Sequence, residues 1–94
     1  MTLRDLRTKA VDRMESEVAR LEKDLSKMKS SHDALRQALF DTAKNLQDSP
    51  GSAHLLRESE ILKRKISEIV VSIHHLDARI SRIKHRTQRL KGIG

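Results

Sequence analysis

Apolar residues recur at alternating intervals of three and four along almost the whole chain, with one interruption near its middle. This heptad repeat is typical of helices that pack along the narrow seam of a coiled coil. The repeat stops only around Ser49-Pro50-Gly51, where proline and glycine end helices. The seam positions are Val11, Met14, Val18, Leu21, Leu25, Met28, His32, Leu35, Leu39, Thr42 and Leu46, then Leu55, Ser59, Leu62, Ile66, Ile69, Ile73, Leu76, Ile80, Ile83, Thr87 and Leu90. The sequence therefore predicts two long helices.

The predicted fold is all-α, a two-helix antiparallel coiled-coil hairpin that forms a single domain over residues 1–94. We expect helices over about 3–47 and 53–91, joined by a turn at 48–52. A two-helix seam buries only one stripe on each helix and is marginally stable alone. The hairpin is therefore expected to complete a four-helix bundle, either by dimerisation or with a partner.

The ends of both predicted helices carry capping residues. Thr2 followed by Asp5 has the spacing of a capping box at the start of the first helix. Ser49 or Ser52 is available to cap the second helix, and Gly92 is placed to end it. These residues support the predicted boundaries.

The seam also predicts a register for the hairpin. When residues whose numbers add to 101 face each other, every seam residue meets another, and Thr42 meets Ser59, so that two hydroxyls satisfy each other. The flanking charges favour this antiparallel pairing overall, although each exposed pair contributes only about 0.2–1 kcal/mol. The attractive pairs are Glu15–Lys84, Glu17–Arg86 and Asp24–Arg79, and the repulsive pairs are Glu22–Asp77 and Arg36–Lys63.

Composition argues against an enzyme or a metal protein. The chain has no cysteine and one aromatic residue, Phe40, and it lacks a nucleophile triad, a phosphate-binding loop or a paired-carboxylate arrangement. His74 and His75 are adjacent, so their side chains on a helix diverge by about 100° and cannot share an ion. We therefore expect no catalytic residue, no cofactor and no metal ligand. The charged start, Met1–Val11, is unlike a signal peptide, which favours a cytoplasmic protein.

The chain has more apolar residues than a two-helix seam can bury, and those that lie off the seam predict a protein-binding surface. Leu56, Ile61, Val70 and Val71 lie off the seam of the second helix, and Phe40 lies off the seam of the first. Exposed apolar groups of this kind mark interfaces, although scattered exposure is the simpler alternative. His32 is a polar seam residue opposite Ile69, which suits a role in register or partner choice.

Positive charge is concentrated in the second half of the chain. Residues 1–48 carry ten Lys/Arg and nine Asp/Glu, whereas residues 49–94 carry ten and four. The basic residues of the last segment are candidates for contact with nucleic acid or an acidic partner. They are Arg79, Arg82, Lys84, Arg86, Arg89 and Lys91. The alternative is that some of them answer the acidic flank of the first helix and the others are solvated.

A stretch of the second helix resembles the needle-subunit co-chaperones of bacterial type III secretion. It contains Arg57-Glu58-Ser59, then seam residues from Leu62 to Ile73, then His74-His75, and the turn at residues 48–51 falls where that family turns. The resemblance covers residues 14–80, while the helices here are longer and end in a basic extension. Other small coiled-coil chaperones of that system, and its ATPase-stalk protein, also look like antiparallel hairpins.

The resemblance implies a cytoplasmic chaperone or co-chaperone that masks the apolar face of a secretion subunit. The sequence by itself favours a non-enzymatic protein–protein interaction module that binds partner helices, a second copy of itself, or both. Two other functions stay open, namely a small basic helical-bundle protein that binds nucleic acid and a subunit of a coiled-coil scaffold.

Overall fold

Two helices make up almost all of the chain in the structure, a computed structural model that describes residues 2–92. Helix α1 spans Leu3–Asp48 and helix α2 spans Ala53–Gly92. The prediction of an all-α helical hairpin is confirmed. Neither helix contains a segment long and apolar enough to cross a membrane.

Side-chain hydrogen bonds hold the start of each helix. The amide of Asp5 donates to Thr2 Oγ1 (3.2 Å) and the amide of Thr2 donates to Asp5 Oδ2 (3.3 Å), which is the predicted capping box. Of the two serines available to cap α2, Ser52 does so, accepting from the amide of Leu55 (3.3 Å). The turn between the helices closes with a bond from the amide of Ser52 to the carbonyl of Ser49 (3.1 Å), with proline at its second position.

The seam forms where the heptad repeat predicts it. Every predicted seam residue is buried or half-buried, whereas the great majority of other residues are exposed. One layer fixes the register directly, because Thr87 Oγ1 lies 3.5 Å from Met14 Sδ and the two numbers add to 101. Thr87 donates its single hydroxyl proton to the carbonyl of Ile83 at 2.8 Å, so the sulfur is a close neighbour only.

The chain divides into two compact units. We call the first the terminal unit, which combines Met1–Ser26 with His74–Gly94, and the second the turn unit, Lys27–Ile73. Within residues 2–92, four apolar residues are buried, and all four belong to the terminal unit. They are Val11, Leu21, Leu25 and Ile80.

The predicted hydrogen bond between the hydroxyls of Thr42 and Ser59 is wrong, although both residues lie in the seam as expected. Both residues are buried, at 4% and 9% exposure. The Thr42 hydroxyl donates to the carbonyl of Ala38 in its own helix (2.9 Å), a bond that any helical threonine can make with the preceding turn. Thr42 is therefore satisfied without its cross-seam neighbour.

The ion pairs between the helices also differ from the predicted ones. Each of the three paired acids contacts a base one heptad away from the expected residue on the same flank, because a long side chain can reach either neighbour. Arg79, predicted to pair with Asp24, pairs with Glu17 instead. Glu22 was predicted to lie opposite Asp77 and repel it, but it forms an ion pair with Lys84. The pairs are Lys91–Glu15 (2.9 Å), Arg79–Glu17 (2.9 Å) and Lys84–Glu22 (3.0 Å).

Candidate interaction surfaces

The turn unit exposes large apolar side chains that its own two helices do not cover. Phe40 is 59% exposed, Leu56 49%, Ile61 47% and Val71 54%. Val70 is half-buried. We call these five residues the turn-unit apolar surface. The structure describes every residue of this unit, and none of its apolar residues is buried.

The heptad positions of these residues divide the surface between different sides of the turn unit. With seam positions lettered a and d, Leu56 and Val70 are at e and Phe40 is at b, so these three lie on one side. Ile61, at c, lies on the opposite side, and Val71, at f, points directly away from the seam. Leu56 and Val70 are separated along α2 by about 21 Å at 1.5 Å per residue. The predicted residues therefore do not form one continuous patch.

Phe40 is the largest member of the surface and has a cation beside it. The Lys44 ammonium lies 5.6 Å from the centre of the ring, a cation–π contact that is weak at an exposed site. A shallow depression beside the ring is lined by Leu39 together with the polar residues Asp33, Arg36 and Gln37. An apolar side chain with polar neighbours of this kind is typical of an interface anchor.

His32 occupies its predicted seam position in the turn unit. Its side chain is 22% exposed, and its Nδ1 lies 3.9 Å from a carboxylate oxygen of Asp33, the next residue. His32 is thus a half-buried polar residue within the seam and does not share a patch with Phe40 or Leu56.

In the terminal unit, the predicted basic residues separate into two groups of three. Arg79, Lys84 and Lys91 each pair with an acid of α1. Arg82, Arg86 and Arg89 have no acidic partner within 4.0 Å among residues 2–92, and all three are exposed. They line a groove on α2 with Ser81 and His85. Three paired and three exposed basic residues agree with the alternative that some of them answer the acidic flank of α1 and the others are solvated.

Sequence reasoning missed other basic residues on the same side of the terminal unit. Arg13 and Arg20 of α1 are at c positions, and Arg20 lies 3.9 Å from Glu17, which also accepts the bond from Arg79. Extending the heptad letters to all charged residues, instead of only those flanking the seam, would have found them. Two exposed leucines at the start of α1, Leu3 and Leu6, were also missed.

Metal binding has no geometric basis in the described residues. Between Thr2 and Gly92, no group of three or more His, Asp or Glu side chains is arranged to hold an ion.

Comparison with known proteins gives no relationship from which to assign a family or a site: no family model, no curated protein and no solved structure matches the chain.

Proposed function

We propose that the chain is a non-enzymatic protein–protein interaction module whose turn unit takes up the helices of another polypeptide. By itself, the chain covers one side of the turn unit, where Phe40, Leu56 and Val70 lie, with a second copy and forms a four-helix bundle. The helix of a partner protein takes the place of that second copy. The exposure of Phe40 and Leu56, beside a seam with no fully covered apolar residue, is the observation that carries the proposal.

Incomplete burial is the reason for assigning the interface to the turn unit. A seam that leaves its apolar residues half-buried gains further stabilisation from a third or fourth helix, at roughly 25 cal/mol for each Å² of apolar surface removed from water. In the terminal unit, Leu21 and Ile80 are each only 5% exposed, so an added helix gains less there. Apolar burial therefore favours association through the turn unit.

Charge supports the same assignment. The turn unit carries eight Lys/Arg and six Asp/Glu, a net charge of +2, whereas the terminal unit carries twelve and seven, a net charge of +5. In a symmetric dimer, which joins the same side of both copies, two terminal units would repel each other more strongly than two turn units at low ionic strength. A second copy is therefore expected to approach through the turn unit.

The resemblance to type III secretion co-chaperones gives the specific form of this proposal. In that form, the protein is a cytoplasmic chaperone that shields the apolar helix of a secretion subunit until export. An amphipathic helix that repeats apolar residues at i, i+3, i+4 and i+7 over about four turns would be long enough, at roughly 21 Å, to contact Phe40, Leu56 and Val70 along one side of the turn unit. Because the resemblance includes the turn and the first part of α2, it concerns the same region as the exposed residues.

The oligomeric state tests the proposal. Sedimentation equilibrium of the wild-type chain should show a dimer whose dissociation constant rises at least tenfold in Phe40→Ser/Leu56→Ser. Leu3→Ser/Leu6→Ser is the control, since it removes two exposed apolar side chains (86% and 51%) from the terminal unit. Its dissociation constant should match that of the wild type.

A second measurement extends the test to partner proteins. A photo-crosslinking amino acid placed at Phe40 in the native host should trap the second copy or a single defined protein, and the same group at Leu3 should trap neither. A wild-type chain that stays monomeric at all accessible concentrations and gives no crosslink from residue 40 would overturn the proposal. Equal loss of dimer in both serine variants would move the interface away from the turn unit.

A further inference from the structure

We propose that the terminal unit binds the backbone of double-stranded nucleic acid through a cationic face whose central arginines, Arg82, Arg86 and Arg89, are left free by the ion pairs of the hairpin. This basic face consists of the g and c positions of the terminal unit. Its charged members are Arg13, Glu17, Arg20, Asp24, Arg79, Arg82, Arg86 and Arg89. The site is independent of the turn-unit apolar surface, so either proposal can fail without the other.

The two sides of the terminal unit have opposite charge. The basic face has six arginines and two acids, a net charge of +4. The e and b positions on the opposite side have five acids and two lysines, a net charge of −3. Those two lysines, Lys84 and Lys91, are both paired with glutamates of α1. Of these two sides, only the basic face carries a net positive charge.

Arg82, Arg86 and Arg89 form the centre of the basic face. Their spacing of four and three residues places them on consecutive turns of α2, roughly 5–6 Å apart. Arg82 and Arg86 also line a depression with Glu17 and Arg79 at the junction of the two helices. Glu17 accepts its bond from Arg79 at 2.9 Å. The guanidinium groups of Arg82 and Arg86 therefore keep their hydrogen-bond donors available for a ligand.

The arginines lie in two rows, which indicates a duplex as the ligand. Arg13 and Arg20 belong to α1, while Arg82 and Arg89 belong to α2. All four are at c positions, which point away from the seam, so the two rows lie farther apart than the packed helix axes, which are about 8–10 Å apart. Rows separated by more than this distance can each follow one of the two phosphate strands that border a groove about 12 Å wide. An acidic helix would offer one row of carboxylates and would leave half of these arginines without a partner.

The composition of the face also limits how it reads a nucleic acid. It contains no aromatic residue, since Phe40 belongs to the turn unit, so single-stranded bases have no stacking platform there. It contains no Asn or Gln either, and its arginines lie along one exposed surface suited to phosphates. Binding should therefore be independent of sequence and sensitive to salt.

Fluorescence anisotropy across a salt series tests the proposal, with short mixed-sequence DNA and RNA duplexes as probes. The triple variant R82Q/R86Q/R89Q should bind at least tenfold more weakly at low salt. The slope of log K against log salt should fall by roughly 2–3, since each lost phosphate contact removes about 0.9 for DNA. Circular dichroism should show an unchanged helix content, because all three residues are exposed and glutamine is a good helix former.

The control variant K9Q/K23Q/K65Q removes the same charge from exposed positions outside the basic face. It should retain wild-type affinity within about twofold and nearly the full salt slope. If both variants weaken binding equally, only net charge matters and the assigned face is wrong. Absence of binding to both duplexes at low salt also overturns the proposal.

Competing anions decide between duplex nucleic acid and other ligands. A matched single strand, an acidic polyglutamate peptide and anionic lipid vesicles should each bind more weakly than the duplex at the same salt. The vesicle arm matters because Leu3 and Leu6 are exposed near the start of α1. Preference for any of these three over the duplex contradicts the proposal and identifies that class as the ligand.

Discussion

The terminal unit and the turn unit share one heptad repeat but differ in burial and charge. The terminal unit contains every apolar residue in the buried class and all three ion pairs that join α1 to α2, among residues 2–92. The turn unit contains two of the three buried hydroxyl residues, Thr42 and Ser59, and four of the six exposed large apolar residues within residues 2–92. The same seam pattern is therefore better covered in one unit than in the other.

This difference suggests a division of labour within one hairpin. In the terminal unit, the seam is better covered and the surplus surface is charged, which suits an anionic ligand. In the turn unit, the seam is incompletely covered and the surplus surface is apolar, which suits another helix. Both proposed assignments follow from the surface that each unit leaves without a partner, which is charged in the terminal unit and apolar in the turn unit.

The largest expected contrast is between matched leucine truncations in the two units. Leu21→Ala, at a 5%-exposed d position, should cost roughly 2–4 kcal/mol of unfolding free energy. Leu62→Ala, at a half-buried d position, should cost about 1–2 kcal/mol at concentrations where the chain is monomeric. Urea denaturation followed by circular dichroism, with an osmolyte added to both samples, measures the two costs. Equal costs would remove the burial difference between the units.

Valine substitutions at the two buried threonines should give a smaller effect of the opposite sign. Thr42 and Thr87 each donate to a carbonyl of their own helix, which already accepts a backbone bond. Thr42→Val and Thr87→Val should each stabilise the chain by about 0.5–1 kcal/mol in thermal or urea unfolding. If Thr42→Val instead destabilises, the Ser59 hydroxyl depends on Thr42 after all.

Double-mutant cycles should detect the ion-pair register of the terminal unit. Glu22 and Lys84 should couple by about 0.2–1 kcal/mol, and the coupling should shrink in high salt. Glu15 and Lys84, the pair expected from the sequence, should show a coupling near zero, since Glu15 pairs with Lys91. The reverse order of these two couplings would restore the partners that the sequence suggested.

The smallest effect is expected for Phe40→Ala in the monomer. The ring is mostly exposed, and its contact with Lys44 is weak, so the change should alter unfolding free energy by less than about 0.5 kcal/mol. Urea unfolding at low protein concentration checks this. A large loss of monomer stability would mean that Phe40 supports the hairpin itself and is not reserved for a partner.

The sequence was sufficient for the fold because its local signals agree with each other. The heptad repeat, the Thr2–Asp5 capping box and the proline-containing turn all specify the same two helices. The register also follows from the seam, as the Met14–Thr87 layer demonstrates. Such features depend on backbone periodicity, which the positions of apolar residues encode directly.

Other features depend on side-chain choices that periodicity does not encode. Whether Glu22 meets Asp77 or Lys84 is decided by side chains that can reach two neighbours one heptad apart. Whether Thr42 bonds across the seam or to Ala38 is decided by its rotamer. The contrast in burial between the units was also inaccessible, since Leu21 and Leu62 occupy equivalent positions in the repeat.

Hydrogen exchange at low and high protein concentration tests the central claim most directly. As the chain associates, amides of the turn unit, Lys27–Ile73, should gain protection, while those of residues 2–26 and 74–92 should change little. Phe40→Ser/Leu56→Ser should abolish the gain. A gain centred on the terminal unit, or no association and no change at any concentration, would contradict the account.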